Sequence, residues 1–234
     1  MYALEDRHWW FRGRRAVIWA LLRRAAVPES GRLRVLDAGC GTGRNLHEYD
    51  RLGAASGVDA SAEAVDFCRR RGLTAVVRSG VESLPFESDA FDVAFATDVL
   101  EHVEDDHAAL AELRRVVAPG GTLVSTVPAF EWLWSDSDVA LGHHRRYTRR
   151  RLLDVVGSSG WRASAATYFN SLLLPPIAVT RALRRPDHRR PELEQTPAAL
   201  NRLLAAPMQL EAALIGRGVR LPAGVSLGVV CRRD

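Results

Sequence analysis

Apolar and polar positions alternate along this chain in blocks that repeat. Residues 33–38, LRVLDA, form a short apolar run of strand type, followed by a glycine-rich turn and a helical segment reaching about Leu52. ASGVDA (55–60) predicts a second strand, and SAEAVDFCRRRG (61–72) a helix with Ser61 as N-cap and Gly72 as its stop. LTAVVRS (73–79) and FDVAFAT (91–97) read as further strands. DDHAALAELRRVVAPGG (105–121) reads as a helix ended by Pro119 and Gly120, and TLVSTVP (122–128) as a fifth strand. Apolar strands separated by helical segments imply βαβ units and a mostly parallel sheet covered on both faces.

The flanks differ. In RGRRAVIWALLRRAA (12–26), Val17, Ile18, Leu21 and Leu22 recur at helical spacing between arginine pairs, which predicts an amphipathic N-terminal helix closed by Pro28, Ser30 and Gly31. Beyond Pro128 a Trp-containing loop (129–147) leads to a helix at about 149–158. WRASAATYFN (161–170) and GVSLGVVCRR (224–233) are the last strands. Between them lie a Leu/Pro-rich stretch, a basic hinge RRPDHRRP (184–191) and a helical segment at 197–218. There is no internal repeat.

Composition narrows the function classes. With 234 residues and 47% hydrophobic positions, the chain is long enough for one domain with a sizeable core. SLLLPPIAVTRAL (171–183) is too short to cross a bilayer and is broken by Pro175 and Pro176, and the first residues lack a signal-type apolar stretch; the expected location is the cytoplasm. Cys40, Cys68 and Cys231 are scattered, which argues against a disulfide framework or a zinc site. All 32 basic side chains are arginine, giving a net charge of +4; this hints at anionic partners, although solvated surface accounts for most of it.

The sharpest motif is VLDAGCGTGRN (35–45). Gly39, Gly41 and Gly43 let the backbone turn between strand and helix and approach a ligand closely. A dinucleotide fingerprint, G-x-G-x-x-G, is not met; the spacing is G-x-G-x-G, preceded by Asp37. A carboxylate there opposes a pyrophosphate but suits a ligand with ammonium and sulfonium groups. Asp59, at the end of the second strand, can accept both ribose hydroxyl protons. Together these features select a nucleoside with a cationic tail.

VLDAGCGTGRN, GVDAS, GVESLPFESDAFDVAFATDVLEHV and LRRVVAPGGTLVSTVP resemble the class I S-adenosylmethionine (SAM)-dependent methyltransferases, most closely the branch with small-molecule and lipid-like acceptors. The resemblance covers about residues 33–128, and more loosely HWWFRGRR and the last strand. It implies an α/β, Rossmann-like sheet of seven strands with an antiparallel last strand, an N-terminal amphipathic helix, and a helical insertion at about 171–222. Residues 1–234 would form a single domain: an N-terminal helical lid (1–31), a cofactor-binding half (32–128) and an acceptor-side half (129–234). By the same resemblance Asp37, Gly39, Cys40, Gly41 and Gly43 would hold the methionine part of SAM, and Asp59 the ribose, with Ala60 beside the adenine. Gly80, Val81 and Glu82 would edge the adenine; Asp98 and Val99 would face the sulfonium, with His102 close by. LEHV could equally cap the next helix. The product would be S-adenosylhomocysteine.

The [DN]-P-P-[YFW] signature of base-amine methyltransferases is replaced by TDVL (97–100), so a clamp for a flipped base is missing. His143 and His144 lack nearby spaced ligands, and no catalytic metal is expected. Methyl transfer is an in-line displacement from an already activated sulfonium, so the protein mainly aligns reactants and excludes water, which can supply roughly 7–11 kcal/mol of the barrier. A base is needed only where the acceptor carries a proton, and a histidine suits that task. The loop after the fifth strand should roof the transfer site. There Phe130, Trp132, Trp134, Arg146 and Tyr147 would wall the acceptor pocket and His143 or His144 would serve as base, while Thr148 caps the following helix. Trp10 and Arg15 (or Arg12) of HWWFRGRR could close over the cofactor, or the aromatics could simply pack. The acceptor would be a small molecule of lipophilic or carrier-linked character. No specific nucleic acid or transmembrane segment is expected, peripheral membrane contact is open, and the assembly would be a monomer or homodimer. Two other readings stay open: a SAM-binding protein acting on RNA, and a SAM-fold protein without methyl transfer.

Overall fold

The computed structural model describes residues 4–27, 32–183 and 197–234. The expected Pro28–Gly31 stop and the basic hinge at 184–191 therefore lie outside the described residues. One sheet of seven strands organises the molecule: β1 (Leu33–Ala38), β2 (Gly53–Asp59), β3 (Val76–Arg78), β4 (Phe91–Thr97), β5 (Val117–Pro128), β6 (Arg162–Phe169) and β7 (Ser226–Arg232). Their order is β3-β2-β1-β4-β5-β7-β6. β1 to β5 pair in parallel, and β7 enters antiparallel between β5 and β6.

Alternate residues of the central strands face opposite layers. Val93 and Phe95 of β4 join one core with Val35, Val124 and Val230, while Ala94 and Ala96 join the other with Leu36, Leu123 and Val229. Burial on both faces is why these strands read as continuous apolar runs. The first layer is covered by helices α1 (Trp9–Arg24) and α2 (Arg44–Tyr49), the second by α4 (Asp106–Val116) and α6 (Arg149–Ser158); α3 (Ala62–Arg70) packs beside β2 and β3. Tyr49 of α2 stacks on Phe95 at 3.8 Å between ring centroids.

The expected N-terminal helix exists, starting at Trp9, where the His8 side chain accepts the Trp10 backbone N–H. It is a core element: Val17, Ile18, Leu21 and Leu22 are 0–1% exposed. The region of the expected insertion supplies α7 (Leu174–Leu183) and α8 (Ala198–Gly216). α8 lies against α1, and Gly13 makes the approach possible, since a Cβ there would sit 2.6 Å from Met208 Sδ. α7 instead leaves Val179 and Leu183 exposed, and Leu172 just before it is exposed as well. Among the described residues no helix is long and apolar enough to cross a membrane.

Two boundaries differ from expectation. α4 stops at Val116, and β5 begins at Val117, its first turn of chain bulged against Phe91–Val93 before regular pairing resumes at Thr122. The expected loop at 129–147 is largely structured, with a 3-10 turn at Glu131–Leu133 and α5 at Asp136–Ala140. Ser135 and Asp138 close α5 with reciprocal side-chain-to-backbone hydrogen bonds, a capping box that the SDSD sequence contains.

Candidate functional site

Strand order reverses between β1 and β4, and the crevice outside the carboxyl ends of such strands is where open α/β sheets take ligands. The loop from Asp37 to Gly43 forms one wall. Gly39, Gly41 and Gly43 have φ of +73°, +54° and +81°, the left-handed region that glycine enters without strain. A Cβ at Gly39 would collide with Val99 at 2.4 Å, and one at Gly43 with Leu73 at 2.5 Å, so these two are required by packing. At Gly41 a Cβ would meet nothing within 4 Å, which leaves open space over the loop. Asp59 is aimed by two backbone donors: Gly41 N–H reaches Oδ2 at 2.8 Å and Ser61 N–H reaches Oδ1 at 2.9 Å.

Asp37 is 1% exposed, and neither carboxylate oxygen has a hydrogen-bond partner. Burial pushes its carboxyl up to about 8, against the pull of Arg14, with Asp59 adding to the rise. Asp98 closes β4 with φ +57°, an unusual conformation for a non-glycine residue and one often found at ligand sites. Its Oδ1 accepts from Thr126 Oγ at 2.9 Å, and its Oδ2 is ion-paired with Arg14 of α1. The arginine that reaches the crevice is thus Arg14. Arg15 instead donates to the Glu5 carbonyl at 2.9 Å and lies 3.5 Å from Glu48. Arg12 is exposed. Trp10 stacks on Phe169 at the carboxyl end of β6, 6.4 Å between centroids.

The other cofactor-loop positions divide by direction. The Cys40 side chain turns into a satellite core with Leu46, Val65 and Cys68, so only its backbone is available to the crevice. Val81 is likewise a core residue, while Ala60 and Glu82 are exposed and Gly80 half-buried beyond the ends of β2 and β3. Val99 packs over the glycine loop at Gly39.

The 129–147 segment builds the facing side. Asp138 is fully buried and accepts from Arg146 Nε at 2.9 Å and Nη2 at 2.8 Å, from Ser135 N–H at 2.8 Å, and from His143 Nδ1 at 2.7 Å. Burial alone would raise the Asp138 carboxyl, but the His143 and Arg146 hydrogen bonds outweigh it and hold it far below the usual carboxylate range. An ionised partner at Nδ1 fixes that nitrogen as the N–H and leaves Nε2 with the lone pair. The His143 ring meets His102 edge-on at 4.6 Å, and Glu101 lies beside both. Burial, reinforced by the charge of Asp98, raises the Glu101 carboxyl well above its ordinary value. His102 is lowered by burial and by His143. His144 is exposed, its backbone N–H donating to the Glu101 carbonyl at 2.7 Å.

Arg146 and Tyr147 do not wall an acceptor pocket as expected. Arg146 is spent on Asp138 and on the Ala129 carbonyl at 3.1 Å. Tyr147 is fully buried, its hydroxyl 2.8 Å from Asp106 and 3.2 Å from the Leu100 carbonyl. The aromatic wall consists of Phe130 stacked between Tyr168 at 5.0 Å and Trp132 at 5.6 Å, with Trp132 62% exposed and Trp134 half-buried. Thr148 caps α6, its hydroxyl accepting the Arg151 N–H at 3.2 Å.

Residues 36–125 match the model of a methyltransferase domain family. That segment, β1 to β5 with the helices between them, is a methyltransferase domain of the class I SAM-dependent type. A ubiquinone biosynthesis O-methyltransferase of Maricaulis maris is 37% identical over 162 residues, 65% of this chain and 57% of that protein. A tRNA U34 carboxymethyltransferase of Methylococcus capsulatus is 38% identical over 116 residues, 45% of this chain and 35% of that protein. In both cases the chain spans well under two thirds of the relative's length. The methyltransferase sheet superposes, with a TM-score of 0.65 and 20% identity, on a chain from a complex between the Haloferax volcanii Trm112 methyltransferase activator and a methyltransferase, covering 99% of this chain and 92% of that one. At that identity the likeness speaks for the fold.

The cofactor of a class I methyltransferase is SAM, and the residues present fit it. The unpartnered, buried Asp37 is a receptor for a cation, the space over Gly41 admits a ligand where a side chain would stand, and Asp59 is oriented with acceptor lone pairs to spare. Arg14 offers a guanidinium at the same crevice for a carboxylate. Sequence reasoning missed Arg14 and Asp138. Arg14 was hidden among Arg12, Arg14 and Arg15, which only the rotational phase of α1 separates. For Asp138 the available signal was the Ser135–Asp138 capping box.

Proposed function

We propose that this chain transfers a methyl group from SAM to a small acceptor with an apolar body, lipophilic or carrier-linked, by in-line displacement at the sulfonium in the cytoplasm. The SAM side rests on Asp37, the glycine loop, Asp59 and Arg14; bound SAM supplies the activated methyl group, and these residues orient it and exclude water. The acceptor side rests on one observation. The wall beyond β5 is a stack of rings in which the core residue Tyr168 backs Phe130 and an exposed Trp132, while the two arginines of the loop itself, Arg145 and Arg146, are turned to internal partners. Arg146 is held by Asp138, and Arg145 reaches Asp106 at 3.1 Å and the Glu104 carbonyl. Such a surface favours an apolar molecule over a nucleic-acid backbone. Of the two histidines, we assign His143 to the acceptor, because Asp138 holds its ring with Nε2 free to act.

The test is incubation with methyl-labelled SAM and cell lysate, followed by separation into small-molecule, lipid, RNA and protein phases. Label in the small-molecule or lipid phase is expected. Label confined to RNA, the acceptor class named for one relative, would overturn the acceptor reading. SAM affinity by calorimetry with no label in any phase would overturn methyl transfer itself.

A further inference from the structure

We propose that Glu101, His102 and His143 form a binding site for one divalent transition-metal ion at the edge of the transfer crevice. The role of that ion, though not the site, rests on the methyl-transfer reading above. The three side chains come from two segments 41 residues apart, the turn after β4 and the end of the 129–147 segment, and their ligand atoms lie within 4.8 Å of one another. The expectation of no metal came from the local spacing around His143 and His144, which cannot reveal a set assembled across the crevice.

Three features distinguish this cluster from a chance grouping. Glu101 is 1% exposed, and its Oε2 has no hydrogen-bond partner. A buried, unpartnered carboxylate oxygen is costly unless something completes it, and a cation does so. His143 is oriented from behind: Asp138 takes its Nδ1–H at 2.7 Å and is itself gripped by Arg146 and Ser135. A carboxylate on the far nitrogen of a histidine is the arrangement that fixes a metal-binding imidazole and raises its basicity. Finally, His102 is the residue of the three that reaches solvent, giving the ion a route in. Ligands sharing one ion sit roughly 3.0–3.4 Å apart, so the cluster must close by about an ångström or more when the ion binds, with His102 exchanging its Leu141 backbone contact for the ion.

Two imidazoles and one carboxylate suit Zn2+, Fe2+, Co2+ or Mn2+ better than Mg2+ or Ca2+, and three protein ligands leave positions open for an outside oxygen. With methyl transfer at the same crevice, the ion would occupy His143 Nε2 and take over its task at the acceptor, orienting a bound hydroxyl and making it more acidic. The acceptor class this favours carries a hydroxyl or phenol oxygen, with a second donor oxygen next to it.

The test uses the full chain, stripped with chelator and desalted, then titrated with Co2+ and competed with Zn2+. A visible Co2+ spectrum saturating at one ion per chain is expected. His143→Ala, His102→Ala and Glu101→Gln should each weaken binding by at least roughly tenfold, and Asp138→Asn, acting through His143, by about 10- to 100-fold. Circular dichroism checks folding, and His102→Ala, which replaces an exposed ring, keeps the test decisive if a buried variant fails to fold. Wild-type binding no tighter than that of His102→Ala and His143→Ala would overturn the site and leave His143 as a plain base. SAM binding is measured on the same samples: metal bound without SAM affinity upholds the site and removes the methyltransferase reading, whereas SAM bound without metal does the reverse.

Discussion

Asp37 is the residue through which pH should control both stability and cofactor affinity. Its carboxyl is pushed up to about 8 from an ordinary 3.8 by complete burial. The folded chain therefore keeps this proton after the unfolded chain has released it, so stability falls as pH rises from about 3.8 and levels off above about 8. At pH 7 the linkage amounts to about 4 kcal/mol of lost stability. Asp37→Asn removes it but buries an amide at a cost of about 1–3 kcal/mol. The clean readout is the difference between two pH values: relative to wild type, the variant should gain stability in denaturant melts at pH 8 and gain none at pH 4. A cation bound beside Asp37 needs the carboxylate, so SAM binding at pH 7 should release roughly 0.9 proton per site. Calorimetry in buffers of different ionisation enthalpy measures this directly. Affinity should rise about tenfold per pH unit from 6 to just below 8, then fall again as the ligand's own amine loses its proton near its usual value of about 8. Asp37→Asn should flatten the rising limb and weaken SAM about 10- to 100-fold, the scale of a charged hydrogen bond. A SAM affinity that is flat from pH 6 to 8 and unchanged in the variant would refute the reasoning.

Other expectations follow from neighbouring contacts. Gly43→Ala meets Leu73 and Cys68 in a left-handed conformation and should cost about 2–4 kcal/mol in chemical denaturation. Gly41→Ala meets no protein atom, so it should cost only about 1–2 kcal/mol while weakening SAM markedly in calorimetry. Arg14→Met leaves Asp98 without its buried partner and removes the carboxylate receptor; SAM affinity should drop at least about tenfold, with partial recovery in Arg14→Lys. Arg146→Ala leaves the buried Asp138 without its fixed cation, with only His143 and Ser135 as partners, and should lower stability by about 3–5 kcal/mol, seen as a large fall in the denaturant midpoint at constant slope.

The cofactor half was legible because its signals are local. Asp37, the three glycines and Asp59 sit at strand ends whose periodicity is plain, and the parallel pairing of β1 with β2 and β4 brings them to one crevice. The acceptor half was read less well because its residue types suggest a surface. Arg146 and Tyr147 stand in a basic, polar string, yet both are buried, since Asp138 and Asp106 supply partners from 8 and 41 residues away. A charge run is normally solvated, and only tertiary pairing overrides that. The exchange between Arg14 and Arg15 has the same origin. An amphipathic pattern gives the buried stripe of a helix but not which of two adjacent arginines lies at the stripe's margin.

The position of β7 has a consequence for how the chain acquires its shape during synthesis. β5 and β6 never touch; each hydrogen-bonds to β7, which follows them by about 100 and 60 residues. Until residues 226–232 leave the ribosome, β5 presents a bare edge and β6 has no strand to join. Such edges invite pairing with other chains, and closures of long sequence separation are slow. The SAM-binding strands β1 to β4 close much earlier, from contacts within the first hundred residues. The half that binds the methyl donor can thus be native while the half that takes the acceptor still waits for its keystone strand, and a chain cut before Ser226 should be caught by aggregation instead of yielding a smaller enzyme.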